Sequence, residues 1–515
     1  MTKFSDVAVL LRSSDNVAVL RRTVKVGEEF LLQPGSISAL ENIAAGHKIA
    51  LTRIPSGSAI TKYGQTIGFA TAEIEPGAWV HTHNLGMRDF SRDYGFCQEA
   101  RPVAYYPAEA MRHFLGFARP GGRVGTRNYL AVVSSVNCSA SVSNYVRDRF
   151  RTGDFQRDFP HVDGVIAVTH KGGCAMDPGE PQTVLQRVLA GIARHPNISG
   201  YVMIGLGCEV NQLDALRKSF RLDEVRPGEN PPAFMNIQSL GGIRKTVEAG
   251  VAAVAKLLPA ANDLRRTTHP ISKLILAENC GGSDGNSGIT ANPALGVASD
   301  ELVRYGGTSV LAETPEIYGA EHLLTRRAVS REVADKLVAL IRWWEEHARL
   351  HHSTIDNNPS HGNRAGGLTT IYEKSLGAVA KGGQSPLAAV YQYGEPILTS
   401  GFGFMDTPGY DPVSMTGLVA GGCNVAVFTT GRGSVYGCKP TPCIKVATNT
   451  AIYNWMEEDM DLNAGTILDG TETIDQVGHR IFEKIIAVAS GEKTKSELAG
   501  IGDEEFAPWQ LGPTF

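Results

Sequence analysis

The chain has 515 residues, 42% hydrophobic and 20% charged, with a net charge of −4. That length exceeds what one core serves, so about three domains are expected, and the mild negative charge without a long basic run argues against nucleic acid as a partner. No apolar run approaches the roughly 20 residues that span a membrane. Asp6, Arg12 and Asp15 interrupt the N-terminus where a secretory signal would be apolar. The eight cysteines are scattered rather than packed into a disulfide framework. A cytoplasmic protein is therefore expected, with thiols free for catalysis or metal binding.

Residues 1–92 read as a small β domain. Short alternating segments at 7–10, 17–20, 48–53 and 66–70 are separated by turns such as Pro55-Ser56-Gly57 and Pro76-Gly77. The domain closes on VHTHN (80–84), where a strand would turn His81 and His83 to one face as a metal or substrate contact; a pair of surface histidines is the plain alternative. Residues 93–117 read as a linker. From 118 to 265 strand-like runs at 129–136, 164–169 and 201–204 alternate with helical spacing at 242–258, which predicts a parallel sheet covered by helices. The pattern restarts at 266 and runs to 515, with strands expected at 273–277, 308–312, 387–391, 425–430 and 444–447. Amphipathic helices are expected at 332–350 and 473–489.

The stretch Glu278 to Pro293, ENCGGSDGNSGITANP, joins a strand to a helix. Between its strand-like and helix-like ends sit the thiol of Cys280, the carboxylate of Asp284, the hydroxyls of Ser283 and Ser287, and four glycines. Open α/β sheets place ligands at such strand ends. Cys138, Cys174 and Cys208 also follow strand ends, and with Cys280 and His170 they form a candidate soft metal set converging on one crevice; simple packing at loop bases is the alternative. Asp284, Glu313 and Glu316 offer hard oxygen ligands for Mg, Mn, Ca or Fe(II), although Thr314-Pro315-Glu316 is also a sensible helix start. The segment Thr429-Thr430-Gly431-Arg432-Gly433-Ser434 suits a carboxylate or phosphate, with free backbone N–H groups, hydroxyls and a guanidinium. It is no Walker sequence. The polar loop 358–367 has the length of a substrate loop, and Lys374 after it is a candidate base or carboxylate anchor.

The motifs GHKIAL (46–51), KYGQTIG (62–68), GRVGTRN (122–128), IGLGCE (204–209), CGGSDGNSGITANP (280–293), NPSHGN (358–363), TTGRG (429–433) and MDLNAGT (460–466) together resemble the altronate/galactarate dehydratases, hydro-lyases of sugar acids, nearly end to end. VHTHN resembles the altronate branch, and MDLNAGT followed by GTETIDQVG (470–478) resembles the galactarate branch. The resemblance implies an α/β protein: an N-terminal β-clip domain of the SAF type (1–92), the linker, a middle α/β domain (118–265) that helps form a homodimer, and a C-terminal Rossmann-like catalytic domain (266–515) with a mostly parallel sheet. It also implies a divalent metal, usually Fe(II), and dehydration of a sugar acid to a 2-keto-3-deoxy acid. The rival readings are a lyase of a sulfonated hydroxy acid and a non-catalytic sugar-acid-binding protein. Asp284 and Glu313 are then expected to bind metal or transfer protons, with Cys280 and Glu316 as further ligands. Lys374 and His170 are expected in catalysis. Ser283, Thr430, Gly431 and Arg432 are expected on the substrate carboxylate, with His81 and His83 near it.

Overall fold

The computed structural model describes residues 2–32, 35–88, 92–224 and 229–511. Its N-terminal part is built of short strands in three small sheets, the largest of which is antiparallel and includes Val17–Leu20 and Lys48–Ala50. Val24 and Ile43 pair across this domain, as do Ile54 and Ile74. Each precedes a turn closed by a glycine with φ near +80°, Gly27, Gly46, Gly57 and Gly77, a backbone state that side chains oppose.

The region expected as a linker ends in a strand. His113–Ala118 pairs antiparallel with Arg266–Pro270, so the entry to the middle domain and its exit are tied together. The sequence hides this strand because it follows a proline-rich run and is partly exposed. Between the two lies a parallel sheet in the order Gly164–Val168, Tyr129–Ser134, Ile198–Gly205, Ala233–Asn236. The helix expected at 242–258 extends over Ile243–Asp263.

The C-terminal domain holds seven parallel strands: β1 (Ile275–Cys280), β2 (Thr308–Leu311), β3 (Leu387–Tyr391), β4 (Gly401–Met405), β5 (Val425–Thr430), β6 (Cys443–Ala447) and β7 (Leu462–Asn463). Their order is β3-β4-β2-β1-β5-β6-β7. The helices that concern the site and its support are α1 (Ala291–Arg304), α2 (Ile371–Val379), α3 (Asp411–Gly421) and α4 (Ile474–Ala489). Leu276, Val425 and Val427 pack with α1 and α4 on one face; Ala277, Ala426 and Phe428 pack with α3 on the other. Two covered faces explain the continuous apolar runs of these strands. The GFGFM strand β4 alternates glycine with phenylalanine, which masks it in the sequence. A β-carbon on Gly403 would lie 3.0 Å from the Tyr391 ring, so the small residue is what lets β3 pack there. The C-terminal tail packs Trp509 against Trp344 with ring centroids 5.4 Å apart. Among the described residues no helix is long and apolar enough to cross a membrane.

The N-terminal domain is drawn onto the C-terminal one by a buried ionic triad. Lys48 Nζ and Lys62 Nζ lie 2.8 and 2.9 Å from opposite oxygens of Glu373 on α2, and all three side chains are essentially inaccessible. Thr369 adds its N–H and hydroxyl to the same carboxylate. Burial opposes ionisation of Glu373, but the two lysines outweigh it and hold its carboxyl well below the usual range. The lysines themselves diverge: burial pushes Lys48 down to about 8 against the pull of Glu373, whereas Glu373 and Tyr63 hold Lys62 above its ordinary value despite the same burial.

Glu373→Ala leaves two buried ammonium groups facing each other and is expected to cost about 3–5 kcal/mol in chemical unfolding. Because the folded-state pKa of Glu373 lies below the unfolded one, its stabilisation is present above about pH 4.3 and is lost as pH falls further. The variant is expected to lose that acid-side slope.

Candidate functional site

In β1 the chain reaches the centre of the sheet. Its neighbours are β2 on one side and β5 on the other, so the strand order reverses there and the loops after β1 and β5 part to leave a crevice. Cys280 is the last residue of β1 and stands opposite Thr429 of β5.

Three candidate ligands meet at this point. Cys280 Sγ and one carboxylate oxygen each of Glu313 and Glu316 lie within 4.8 Å of one another, all buried. Glu313 is held at φ 70°, ψ 66°, a left-handed conformation that costs a side-chain-bearing residue about 1–3 kcal/mol. Its N–H donates to Thr407 Oγ1 at 2.9 Å, which fixes the backbone in that state. Neither glutamate caps the 3-10 turn Thr314–Ile317 through its side chain. Both carboxylates point into the crevice instead.

Two lysines complete the cluster. Lys381 Nζ donates to Cys280 Sγ at 2.9 Å and to Glu313 Oε2 at 3.0 Å. Lys374 Nζ donates to Glu316 Oε1 at 2.5 Å and to Asn358 Oδ1 at 3.0 Å. Burial disfavours both ammonium groups, yet the surrounding anions hold each above its ordinary value, so both are cations. Burial, with Glu316 beside it, pushes Glu313 up to about 8. The same two causes push Asp411 up to about 7. Burial raises Cys280 to about 12 against the pull of Lys381. Asp411 packs against the backbone next to Cys280: a β-carbon on Gly281 would lie 2.3 Å from Asp411 Oδ2. Glu313 Oε1 is buried and has no hydrogen-bond partner among the described residues. An orphaned carboxylate oxygen in a set of one thiol and two carboxylates is the environment a divalent cation relieves.

Asp284 is placed differently. Its carboxylate accepts from Ser287 Oγ at 3.0 Å, from the Asn286 N–H and Nδ2 at 3.1 Å, from Thr448 Oγ1 at 3.0 Å and from Asn449 Nδ2 at 3.3 Å. It is not among the three ligand atoms of the cluster. With its lone pairs occupied by five donors, it organises the loop. A β-carbon on Gly431 would lie 2.3 Å from Asp284 Oδ1, so glycine is required where the β5 loop passes.

That loop corrects a further expectation. The N–H groups of Gly431 and Arg432 are not free for an anion; both donate to the Gly282 carbonyl, at 3.1 and 2.7 Å. What does remain available are the hydroxyls of Ser283 and Thr430, buried and without partners among the described residues, and the exposed side chain of Arg432. All three flank Gly282 or follow it directly.

His81 and His83 do not share a strand face. The strand ends at Val80, and 81–84 form a turn closed by Asn84 Oδ1 accepting from the His81 N–H at 3.0 Å. The turn buries His81 and exposes His83, with both rings against Trp79. His81 Nε2 lies 2.9 Å from the Arg364 carbonyl, and His47 Nε2 lies 3.2 Å from that of Ala365. The loop 358–367 is thereby wedged between the N-terminal domain and the Asp284 loop. Gly285 N–H donates to Gly366 O at 2.8 Å, and Asn363 Nδ2 donates to Ser283 O at 2.8 Å. A β-carbon on Gly285 would lie 2.0 Å from Gly46 O, so three backbones touch.

His170 lies in the middle domain, with Nε2 3.0 Å from Ser134 O and Nδ1 accepting from the Gly172 N–H at 3.2 Å. Burial pushes it down to about 4. The four strand-end cysteines divide between two sheets: Cys138, Cys174 and Cys208 lie in loops that follow strands of the middle sheet, and Cys280 ends a strand of the other. Sequence reasoning missed Lys381, Asp411, Asn358 and His47. Of these, only His47 and Asn358 sat in motifs already singled out.

Family models match the chain in three parts: the altronate/galactarate dehydratase SAF domain at residues 6–88, the D-galactarate dehydratase/altronate hydrolase second domain at 116–262, and the D-galactarate/altronate dehydratase C-terminal domain at 271–514. An altronate dehydratase of Bacillus subtilis (strain 168) is 36% identical over 493 residues, covering 95% of this chain and 96% of the relative. A galactarate dehydratase (L-threo-forming) of Escherichia coli (strain K12) is 37% identical over 503 residues, 96% of this chain and 95% of the relative. The β subunit of a (2R)-sulfolactate sulfo-lyase of Chromohalobacter salexigens is 28% identical over 405 residues, 78% of this chain and 98% of the relative.

Asp284→Asn is expected to destabilise the fold by about 1–3 kcal/mol through the lost charged acceptor and to quicken amide exchange at Asn286, while Mn(II) uptake in an anaerobic titration matches that of the unaltered chain. Loss of metal in that variant would place Asp284 among the ligands.

Proposed function

The chain belongs to the D-galactarate/altronate dehydratase family, and from that premise we propose that it removes water from a sugar acid to give a 2-keto-3-deoxy acid, using a divalent cation, Fe(II) by family expectation, held by Cys280, Glu313 and Glu316. The observation that carries this reading is the buried thiol and two carboxylates at the strand reversal, with one Glu313 oxygen left unpartnered.

Dehydration takes a proton from the carbon next to the carboxylate and a hydroxyl from the following carbon. The carbon acid is weak, so the negative charge that develops must be met by preorganised positive charge. A bound cation supplies Lewis acidity for that charge. The chain's own contribution is a cationic wall. Lys374 and Lys381 stay protonated, so they serve as fixed positive charges rather than as bases. Asp411, with its carboxyl pushed up to about 7, has the affinity suited to proton transfer near neutral pH. Ser283, Thr430 and Arg432 offer two unpartnered hydroxyls and a guanidinium to the substrate carboxylate. His81 supports the loop that closes over them, and Asp284 holds the strand-end loop in shape.

The direct test mixes anaerobic protein and Fe(II), Mn(II) or Mg(II) with galactarate, altronate, other aldonates and aldarates, and a sulfonated hydroxy acid, measuring 2-keto acid and sulfite. Formation of 2-keto acid from a sugar acid supports the reading; no product from any sugar acid would sink it, and sulfite release would replace it with the sulfo-lyase chemistry of the third relative. Glu313→Gln is expected to lower kcat by at least about a hundredfold. Metal must displace the proton that Glu313 binds below about pH 8, so metal affinity is expected to rise with pH up to that value and then level off in anaerobic Mn(II) titrations.

A further inference from the structure

Of the cysteines the proposed function uses Cys280 alone, and three of the remaining seven differ from the rest. Of the eight thiols, Cys138, Cys174 and Cys208 are exposed, while the rest are buried or half-buried. Cysteine is ordinarily among the most buried residues, so three exposed thiols in one domain require a reason.

Each lies just past the C-terminal end of a strand in the middle sheet. Gly164–Val168, Tyr129–Ser134 and Ile198–Gly205 are direct neighbours and all parallel, so the three thiol-bearing loops leave the sheet at one rim. The loops are locked together. The N–H of Asn137, beside Cys138, donates to Gly172 O at 2.9 Å. The carbonyl of Gly173, beside Cys174, accepts from the Asn211 N–H at 3.0 Å. Glu209, beside Cys208, accepts from Ser135 Oγ at 2.8 Å, and Asn211 Nδ2 donates to Ser135 O at 2.8 Å. A β-carbon on Gly173 would lie 2.6 Å from Ser135 O, so the loops touch backbone to backbone. Cys208 Sγ also accepts from Gln238 Nε2 at 3.2 Å, a contact of the kind that stabilises a bound thiolate.

We propose that Cys138, Cys174 and Cys208 bind a four-iron, four-sulfur cluster through three of its irons. Thiolates select zinc, copper(I) or iron–sulfur clusters, and a single ion demands a closer approach of its ligands than a cluster does. A single tetrahedral ion with bonds of about 2.3 Å places its thiolates about 3.8 Å apart. Among the described residues, only the Cys280 group brings three candidate ligand atoms within 4.8 Å of one another. Cys138, Cys174 and Cys208 do not form such a close group, which disfavours a single ion, whereas a cluster puts its thiolates on separate corners. His170 is not a fourth ligand, because both its ring nitrogens are engaged. Three protein ligands for four irons leave one iron with a position for an exogenous oxygen, such as the hydroxyl or carboxylate of a small acid. This site is separate from the Cys280 centre of the proposed function, and the test below reads it without enzyme activity.

Full-length protein produced and purified without oxygen is expected to carry about four irons and four acid-labile sulfides per chain at this site, with a broad visible absorption that air bleaches. Cys138→Ser, Cys174→Ser and Cys208→Ser are each expected to lose the sulfide and the visible band, whereas Glu313→Gln retains both. Alkylation of the unmodified chain gives a second measurement that requires no variant. The cluster shields the three thiols until oxidation removes it, so their labelling rises afterwards. Anaerobic protein without acid-labile sulfide, zinc in its place, sulfide retained in all three serine variants, or equal labelling before and after oxidation would each overturn the proposal.

Discussion

The ion pairs of Glu373 with Lys48 and Lys62 are what the rest of the site depends on. Three charges removed from water are unfavourable unless their geometry is good and their remaining valences are met. Here Thr369 and the Gly367 carbonyl, which accepts from Lys48 Nζ at 2.7 Å, meet them. The arrangement tolerates little displacement, so the N-terminal domain cannot slide over the C-terminal sheet. It brings Gly46 against Gly285 and Gly367 and sets His47 and His81 on the loop 358–367. A small β domain with no metal-ligand cluster of its own among the described residues thus becomes one wall of the crevice.

The crevice itself is a problem in buried charge. Cys280, Glu313, Glu316 and Asp411 lie with Lys374 and Lys381 in surroundings that disfavour every ionised form. The structure answers with lysines that stay cationic and with Glu313 and Asp411 carboxyls that bind protons more tightly than in water. The strained backbone of Glu313 belongs to the same arrangement, since a relaxed residue at that position would not project its carboxylate beside Cys280. Proton affinity near neutrality and a shortage of partners are properties that suit a site for carbon-acid chemistry.

The fold class was legible because strands buried on both faces read as apolar runs and the intervening helices keep their 3.6-residue period. What escaped were elements whose local pattern is overridden by packing, such as β4, where Gly403 makes room for Tyr391, and His113–Ala118, stabilised by a partner strand far along the chain. The strand-end loop with Cys280, Ser283 and Asp284 was legible as the chemical centre of the sequence, and so was the pair Glu313 and Glu316. Their division of labour was not. Nothing local distinguishes Asp284, saturated by Thr448 and Asn449 from beyond β6, from Glu313, which retains an orphaned oxygen. Lys381 and Asp411 lie in stretches without a motif.

The sequence by itself determined the periodicities, and with them a β domain followed by two α/β sheets, and it determined which strand ends carry reactive side chains. Those properties depend on neighbours a few residues apart. Tertiary structure alone decided which of those side chains meet. It separated Cys280 from the three cysteines of the middle sheet, turned His81 into a support for a distant loop, and joined Lys48 and Lys62 to Glu373 across more than 300 residues. Such contacts follow from strand order and domain docking, and the free energies that fix them belong to pairs of residues that no local window contains.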